Sequence, residues 1–589
     1  MTRLTVLFLI TICGIVFLGS GCQCKRKSAT TITIEGQETV PDYAQEDLPP
    51  HPGDWMILGG TRKVGTLNPY LAAHEIEADI ASLLFNGLLM YDEQLNLVED
   101  LAQQFQVEKS DGEVTVTITL KSNVIWHPYH DTASGIDVVS WPLSTDDVVY
   151  TFDLISSGTF GEPLKQLFSV FDKVEKIDAQ TVRISGKETV AGSLYLLTSA
   201  ILPQKVLSDY KELDSAPFWN KPCGTGPFRF SRWEEDEDRG ERTLVLEAFE
   251  SYFGGKPLLS GVKAREVATD EALFNLVTAG QHDLVYLPAR LYLRASSNTQ
   301  ISQRFDFVSA PGLSYSFVGF NLQADAFGAN VTSPLADKKI RQALAKAVDR
   351  KKLIDGVLFG QASVVNGPLS PSAPGAAQAG GGIEYDSEGA RKLLAESGWT
   401  DRDGDGFLDK DSNNDGTLDR LNLVLLTNLD NTGQEEIARR ITESWQAIGI
   451  DAVVRGESWS SLSGTILPSG DFNALLAEWN HGPWPVFESL WHSRAGESGQ
   501  NYLSYANPEV DASIDALNKE SEPSKRHDLI GKTCRLIRED IPAVYLYAPK
   551  WLAVVHKRFK GRAGTLSPFG PVQGVARWYV PEKWQFDRD

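Results

Sequence analysis

Hydrophobic and polar residues alternate with a period of two in three short segments of the chain. In Thr115–Leu120 every second residue is Thr, and the residues between them are Val, Ile and Leu. Thr181–Ser185 and Thr243–Glu247 follow a similar pattern. Side chains two positions apart lie on one face of a strand, so each segment predicts a strand with one buried face.

Three other segments have the period of a helix. Ile340–Leu358 gathers its apolar residues on one face, with basic residues outside, and predicts a single amphipathic helix. Ser387–Ser397 predicts a second helix, with its first residue as the N-cap and Gly398 as its end. Glu435–Ile448 predicts a third helix, which Gly449 closes. Helices that alternate with strands along the whole chain predict an α/β architecture.

The first 21 residues have the pattern of a signal segment. Arg3 supplies a positive charge, Leu4–Leu18 is apolar, and small residues lead up to Cys22. Small residues directly before a Cys resemble the lipobox of bacterial lipoproteins, in which that Cys becomes lipidated. The usual Leu three positions before the Cys is replaced by Gly19. The segment therefore predicts export with a lipid on Cys22, and plain secretion is the alternative.

Residues 22–53 are polar and rich in Thr, Glu and Pro, without apolar periodicity. This composition predicts a flexible tether between an anchor and a globular body. Such a tether suits a protein that docks on a membrane partner.

Composition excludes two large classes of function. The 589 residues include 56 Lys and Arg against 78 Asp and Glu, which gives a net charge of −22. Nucleic-acid binding needs clustered basic residues, so a nucleic-acid partner is excluded. After residue 20 no apolar run reaches about 18 residues, so no membrane span is expected in the body. The length is enough for three or four domains or lobes.

The cysteines do not form a disulfide framework. Of the five, Cys13 lies in the signal segment and Cys22 is the predicted lipid attachment site. No C-x-x-C spacing is present, which argues against a metal or redox site of that type. Cys223 and Cys534 are expected to be buried small residues, and whether they pair is left open by the sequence.

Catalytic motifs are missing as well. The sequence has no G-x-S-x-G elbow and no P-loop. His74 and Glu75 begin an H-E-x-x-H zinc motif, but Ala78 stands where the second His is needed. Carboxylates are too numerous for counting alone to exclude a glycosidase pair. The sequence favours a binding protein, and an exported hydrolase is the weaker alternative.

A series of short motifs resembles the family 5 extracellular solute-binding proteins of ABC transporters. The resemblance covers about residues 54–585, and the motifs occur in the family's order. They are Gly65–Pro69, Leu83–Leu88, Ser144–Phe152, Cys223–Phe230, Tyr252–Pro257, Phe317–Leu322, Lys339–Asp349, Gly367–Pro371, Asn507–Asp511 and Ile541–Tyr547. One such motif would be weak evidence, whereas this many in order identify the chain as a member.

The resemblance implies a two-lobed α/β periplasmic-binding-protein fold of type II, in the large cluster with an extra subdomain. Crossing hinge strands join the two lobes. Residues 54–85, 220–312 and 550–589 are expected to form lobe I, residues 86–219 the extra subdomain, and residues 313–549 lobe II.

The implied function is that of an extracytoplasmic substrate-binding lipoprotein. It would capture a peptide-like or other small polar solute between its lobes and deliver it to the permease subunits of an ABC importer. A sensor or scavenger of the same fold, without transport, is the alternative, since fold does not fix function. The protein is expected to be a monomer without a catalytic residue, on the periplasmic or cell-surface side of a membrane.

The resemblance also points to ligand-binding residues. In peptide-binding members, the region that matches Glu478–His492 carries an Asp that pairs with the peptide's amino terminus. Here no carboxylate lies between Glu478 and Glu488, which leaves a neutral or differently charged ligand open. The residues predicted to contact ligand are Gly60, Thr61, Trp479, Asn480, His481 and Trp484.

One acidic segment has metal-ligand spacing. Asp401, Asp403 and Asp405 occupy alternate positions before Gly406, and Asp409 follows, which is the spacing that wraps oxygen ligands around Ca²⁺. The pattern nearly repeats ten residues later. The twelfth position of an EF-hand loop should be Glu and is Ser here. A structural Ca²⁺ is therefore one interpretation and an ordinary acidic turn the other, because Asp and Gly also form turns. No other cofactor is predicted.

Overall fold

The computed structural model describes residues 43, 48–72, 75–213, 215–236, 240–323, 326, 333–412, 416–498, 500–562 and 569–586. The signal segment, Cys22 and most of the predicted tether lie outside the described residues. The body begins at Tyr43.

Strands occur from the start of the body almost to its end. They are β1 Trp55–Gly60, β2 Leu89–Tyr91, β3 Leu97–Glu99, β4 Ala102–Ser110, β5 Glu113–Leu120, β6 Tyr129–Asp131, β7 Ile136–Val138, β8 Phe171–Lys176, β9 Thr181–Lys187, β10 Phe228–Asp236, β11 Glu241–Ala248, β12 Gly261–Glu266, β13 Leu284–Tyr286, β14 Phe305–Pro311, β15 Ser314–Phe320, β16 Ala362–Val364, β17 Asp409–Lys410, β18 Asp419–Arg420, β19 Asn422–Asn428, β20 Asp451–Glu457, β21 Ala474–Asn480 and β22 Ala543–His556. The three segments predicted from alternation are β5, β9 and β11, and these predictions are confirmed.

Helices lie between many of the strands, whereas other strands follow one another directly. The α-helices are α1 Glu75–Leu84, α2 Thr145–Ser157, α3 Glu162–Phe168, α4 Gln204–Leu207, α5 Asp270–Thr278, α6 Ala289–Ser296, α7 Thr299–Arg304, α8 Lys338–Ala347, α9 Arg350–Val357, α10 Ala376–Ala379, α11 Ser387–Glu396, α12 Thr432–Gln446, α13 Trp459–Ser461, α14 Leu467–Ser469, α15 Glu488–Trp491, α16 Ala495–Ser498, α17 Pro508–Leu517 and α18 Pro523–Asp540. Short 3₁₀ segments are Glu188–Thr198, Pro217–Asn220, Pro334–Ala336, Val572–Arg577 and Glu582–Trp584, and Leu462–Ile466 is a π turn. None of the described helices is long and apolar enough to cross a membrane.

The single helix predicted for residues 340–358 is wrong, because two helices, α8 and α9, occupy this region. The chain leaves the helical conformation at Val348, and the Asp349 side chain accepts the backbone N–H of Lys352 at 2.9 Å. That hydrogen bond caps the start of α9. Similarly, the N-cap of α11 is Asp386 rather than Ser387, since the Asp386 carboxylate accepts the N–H of Gly389.

A large mixed sheet organises the fold. Ten of its strands follow the order β10-β11-β12-β1-β13-β22-β15-β21-β19-β20, and β14 and β16 also pair with β22. We call the part with β10 to β13 and β1 lobe I, and the part with β15, β19, β20 and β21 lobe II. Neighbouring residues of a strand point to opposite faces of the sheet. In lobe II the residues of both faces are buried, in two separate apolar clusters.

Strand β22 belongs to both lobes. Its residues Ala553–Val555 pair with β13, while Ala543–Tyr547 pair with β15. β14 and β15, which follow one another in the chain, both pair with β22. In the short link between β14 and β15, the N–H of Gly312 donates to the carbonyl of Pro549 at 3.0 Å. The lobes are therefore joined by strands that cross from one to the other, as the two-lobed fold class predicted. The residue boundaries of the lobes stay a prediction.

A separate four-stranded antiparallel sheet has the order β4-β5-β9-β8. We call this sheet, with its following 3₁₀ segment Glu188–Thr198, the subdomain. Cys223 and Cys534 are both buried and free, which confirms the expectation of buried small residues. Elsewhere in lobe I, Arg558 forms a fully buried ion cluster with Asp54 and Asp283, and its Nη2 lies 3.0 Å from Asp283.

Candidate ligand-binding site

Trp479 lies at the end of β21, next to the point where the lobes join. It stands opposite Tyr315 of β15, is half-buried, and packs on the apolar core of lobe II. Because a strand alternates its faces, Glu478 and Asn480 point to the other side and are exposed. The Glu478 carboxylate accepts a hydrogen bond from the Ser314 hydroxyl at 2.6 Å. The end of β21 therefore offers an aromatic face and an exposed carboxylate beside the crossing strands.

His481 is used inside the protein. Its Nε2 accepts the backbone N–H of Ser370 at 3.0 Å, and its Nδ1 donates to the carbonyl of Gly482 at 2.7 Å. Its own backbone N–H donates to the carbonyl of Leu313, between the two crossing strands. Burial lowers the pKa of His481 to about 4, so the ring is neutral at neutral pH. Both ring nitrogens hold backbone groups, so the ring positions the hinge, and its contact with a ligand stays a prediction.

Trp484 connects lobe II to the subdomain. Its Nε1 donates to the carbonyl of Gly192 at 2.7 Å, and its ring stacks on Tyr195 with centroids 6.5 Å apart. The guanidinium of Arg526 lies 3.9 Å from the centroid of the Trp484 ring. Burial lowers the pKa of Arg526 to about 9, and its Nη1 donates to the carbonyls of Leu517 and Glu520. Trp484 is thus part of a contact between two parts of the molecule.

The same contact continues along the backbone. The N–H of Gly192 donates to the carbonyl of Asn518 at 3.1 Å. A Cβ atom on Gly192 would lie 2.2 Å from that carbonyl oxygen, so only glycine permits this approach. The Lys519 side chain forms an ion pair with Glu188 at 2.9 Å. The carbonyl of Lys519 accepts a hydrogen bond from the ammonium of Lys109. We call these contacts, together with Trp484, the subdomain contact.

Gly60 and Thr61 lie in lobe I. Gly60 ends β1 and pairs with Glu266 of β12, and its carbonyl accepts the N–H of Val267. The Thr61 hydroxyl donates to Asp270 at 3.0 Å. No hydrogen bond, ion pair or ring contact of the described residues joins this pair to residues 479–484. Among the described contacts, Gly60 and Thr61 therefore stand apart from the predicted residues of lobe II.

Sequence reasoning missed three residues of this region. In the sequence, Glu478 only marks the start of a segment that lacks carboxylates. Gly192 is a single glycine in an apolar stretch, and Arg526 is one of several basic residues in α18. Of these, only Glu478 carried a usable signal, since it directly precedes the motif residue Trp479.

The acidic loop of residues 401–409 lies elsewhere in lobe II, between α11 and β17. Asp401, Asp403 and Asp405 are exposed there, and Asp409 is buried. These are the residues whose chemistry could hold a metal ion.

The sequence of this chain is similar to those of known proteins over most of its length. The model of bacterial extracellular solute-binding proteins, family 5 (middle region), matches residues 96–501. The chain is 28% identical to the oligopeptide-binding protein AppA of Bacillus subtilis over 544 residues, which covers 90% of this chain and 92% of that protein.

Solved structures give the same result. The structure of Bacillus subtilis AppA in complex with a nonapeptide matches with a TM-score of 0.68 at 27% identity, over 90% of this chain and 100% of that chain. The ABC transporter substrate-binding protein CtaP of Listeria monocytogenes matches with a TM-score of 0.72 at 22% identity, over 90% and 100% of the two chains, and supports the fold. The chain belongs to the bacterial extracellular solute-binding proteins of family 5, which bind solutes rather than catalyse reactions, as the sequence predicted.

Proposed function

We propose that this protein is the substrate-binding component of an ABC importer and that it captures a peptide-like solute between its lobes. The observation that carries the proposal is the match to an oligopeptide-binding protein over 92% of that protein's length. The two-lobed fold supports it, because closure of two lobes buries a ligand on both sides and creates a shape that a permease can recognise.

In this proposal the ligand lies across the end of β21, where it meets Trp479 on one face of the strand and Glu478 and Asn480 on the other. The half-buried Trp479 ring supplies an apolar wall, and such aromatic anchors dominate binding energy. Glu478 takes the place of the family's amine-binding Asp, since its exposed carboxylate is adjacent to Trp479 and beside the crossing strands. An ammonium group on the ligand would pair with it.

Native mass spectrometry of protein purified without denaturation tests the ligand class. We expect a retained mass that fragments as a short peptide. A retained solute without amide bonds would exclude the peptide while leaving the importer role in place.

A fluorescence titration with the peptide so identified tests the residues. Trp479→Ala should weaken binding by about 1–3 kcal/mol, the usual effect of losing an aromatic anchor. Trp459→Ala is the matched control, because Trp459 is also in lobe II but 56% exposed. Glu478→Gln should weaken peptides with a free amino terminus and leave N-acetylated ones unchanged. Wild-type affinity in both site variants would remove the end of β21 from the ligand site.

We further propose that a lipid on Cys22 anchors the protein to a membrane. The small residues before Cys22 support this. Cys22→Ala should move the protein from the membrane fraction to the soluble fraction, whereas Cys24→Ala, two positions away, should not. Membrane fractionation that is unchanged in Cys22→Ala would contradict the anchor.

A further inference from the structure

The acidic loop of residues 401–409 holds three carboxylates close together, away from the proposed ligand site. One carboxylate oxygen from each of Asp401, Asp403 and Asp405 lies within 4.8 Å of the others. Two oxygens bound to one Ca²⁺ at 2.3–2.6 Å are at most about 5 Å apart. The three oxygens therefore already have a spacing that a single Ca²⁺ can bridge.

Asp409 gives a second and independent observation. Its side chain is 4% exposed, and its Oδ2 has no hydrogen-bond partner among the described residues. A buried carboxylate oxygen without a partner is costly, because burial removes its hydration and nothing replaces it. This oxygen therefore needs a partner that the described residues do not supply.

The Asp409 carboxyl also lies within electrostatic reach of the other three. Its neighbours include the carboxylates of Asp401, Asp403 and Asp405 and the guanidinium of Arg420. Four carboxylates against two guanidinium groups, those of Arg402 and Arg420, leave an excess of negative charge at the loop. A divalent cation would neutralise that excess.

We propose that Asp401, Asp403 and Asp405 bind one Ca²⁺ directly and that Asp409, which lies outside their 4.8 Å group, binds it through a water molecule. Counted from Asp401, these are positions 1, 3, 5 and 9 of a calcium loop, and position 7, which binds through its backbone carbonyl, is Phe407. Asp401, Asp403 and Asp405 lie on a loop and only Asp409 lies on a strand, β17, which favours Ca²⁺ over the geometrically stricter Mg²⁺.

The loop is already folded in the way such a site requires. The Asp401 carboxylate accepts the N–H of Gly404 at 2.7 Å and that of Gly406 at 3.1 Å. Gly404 and Gly406 have φ of +82° and +93°, which residues with a side chain rarely adopt. The backbone therefore turns around Asp401.

Arg420 is the competitor of the cation. Its Nη2 pairs with the Asp405 carboxylate, and its Nη1 lies 3.8 Å from Asp451. When Ca²⁺ takes Asp405, Arg420 keeps Asp451 as a partner. Removing the positive charge of Arg420 should thus strengthen binding of the metal.

Isothermal titration of the purified protein with CaCl₂, after treatment with chelator, tests the site directly. We expect one Ca²⁺ per chain, together with a higher melting temperature in 1 mM Ca²⁺ than in excess EGTA, because a ligand of the folded state stabilises it. Asp403→Asn and Asp409→Asn should lose both effects. Glu388→Gln, which removes an exposed acid from α11, should keep both.

A variant that is expected to bind Ca²⁺ more tightly makes the test sharper, because its effect cannot result from a damaged fold. Arg420→Gln should bind Ca²⁺ several-fold more tightly than wild type, and more tightly than Arg402→Gln, which removes an exposed charge from the same loop. Wild-type Ca²⁺ binding in both Asp403→Asn and Asp409→Asn would overturn the proposal. Unchanged or weaker binding in Arg420→Gln would place the cation away from Asp405 and would overturn it equally.

Discussion

Two buried histidines, His127 and His481, hold backbone groups in different parts of the molecule. His127 accepts the N–H of Gly224 on Nδ1 at 3.1 Å and donates from Nε2 to the carbonyl of Gly226 at 2.9 Å. His481 uses its nitrogens in the reverse sense, accepting on Nε2 and donating from Nδ1. Each ring is therefore fixed in one neutral tautomer, and the two tautomers are opposite.

The difference lies in what each ring holds. His127 holds a loop that passes so close to α1 that a Cβ on Gly224 would lie 1.8 Å from the carbonyl oxygen of Leu84. His481 instead holds Ser370 and, through its backbone, Leu313, which lies where the chain crosses between the lobes. The same chemistry thus secures a tightly packed loop in one place and the hinge in the other. We expect the first to matter for stability and the second for ligand affinity as well.

Replacing the two rings should give the largest effects. His127→Ala leaves two buried backbone groups without partners and a cavity, and we expect a loss of about 4 kcal/mol in the free energy of unfolding. His481→Ala should cost about 2–3 kcal/mol and should also weaken ligand binding. Urea unfolding and ligand titration of both variants check this. Equal effects of the two variants on affinity would break the comparison.

Acid should destabilise the protein through both rings. Burial lowers the pKa of each histidine to about 4, while the unfolded chain titrates near 6.5. Between pH 6.5 and 4 the unfolded state binds protons that the folded state does not, so stability is present above pH 6.5 and falls as the pH falls. Each ring should account for about 3 kcal/mol over this range.

Unfolding free energies at pH 7, 5.5 and 4.5 measure the acid effect. A pH slope that is the same in His127→Ala as in wild type would show that this ring titrates in the folded protein.

Breaking the subdomain contact should have a smaller effect than breaking either histidine. Trp484→Phe keeps an aromatic ring but loses the hydrogen bond to Gly192, and we expect a loss of about 1 kcal/mol. Gly192→Ala should separate the two backbones, because its Cβ meets the Asn518 carbonyl. Small-angle scattering should show a larger radius of gyration for Gly192→Ala. Unchanged dimensions would mean that the contact does not hold the two parts together.

The ion pair of Glu188 and Lys519 should have the smallest effect. Both side chains are about half exposed, so solvent screens the pair. Glu188→Gln should change the unfolding free energy little at low salt and not at all in 1 M NaCl. A large effect that persists at high salt would indicate a role in the subdomain contact beyond charge.

The sequence predicted those parts of the fold that local patterns determine. β5, β9 and β11 were found because alternation follows directly from one buried face. The break between α8 and α9 was missed, because the capping residue Asp349 interrupts an apolar pattern that continues on both sides of it. A cap of this kind is decided by one side-chain hydrogen bond and not by periodicity.

The site could be predicted only in part, since its contacts are distant in sequence. Trp484 donates to Gly192, which is 292 positions away, and no local pattern encodes that distance. His481 resembled a ligand residue because it follows Trp479, yet its ring nitrogens hold backbone groups. Only the fold shows which polar groups already have partners.

The position of β22 in the chain has a consequence for biogenesis. It is the last strand of the described residues, and it lies between β13 of lobe I and β15 of lobe II. Synthesis proceeds from the amino terminus, so the large sheet cannot be completed in either lobe until residues 543–556 have been made. Almost the whole chain must therefore emerge before either lobe can complete its core. The subdomain sheet, whose four strands lie within residues 102–187, can form much earlier.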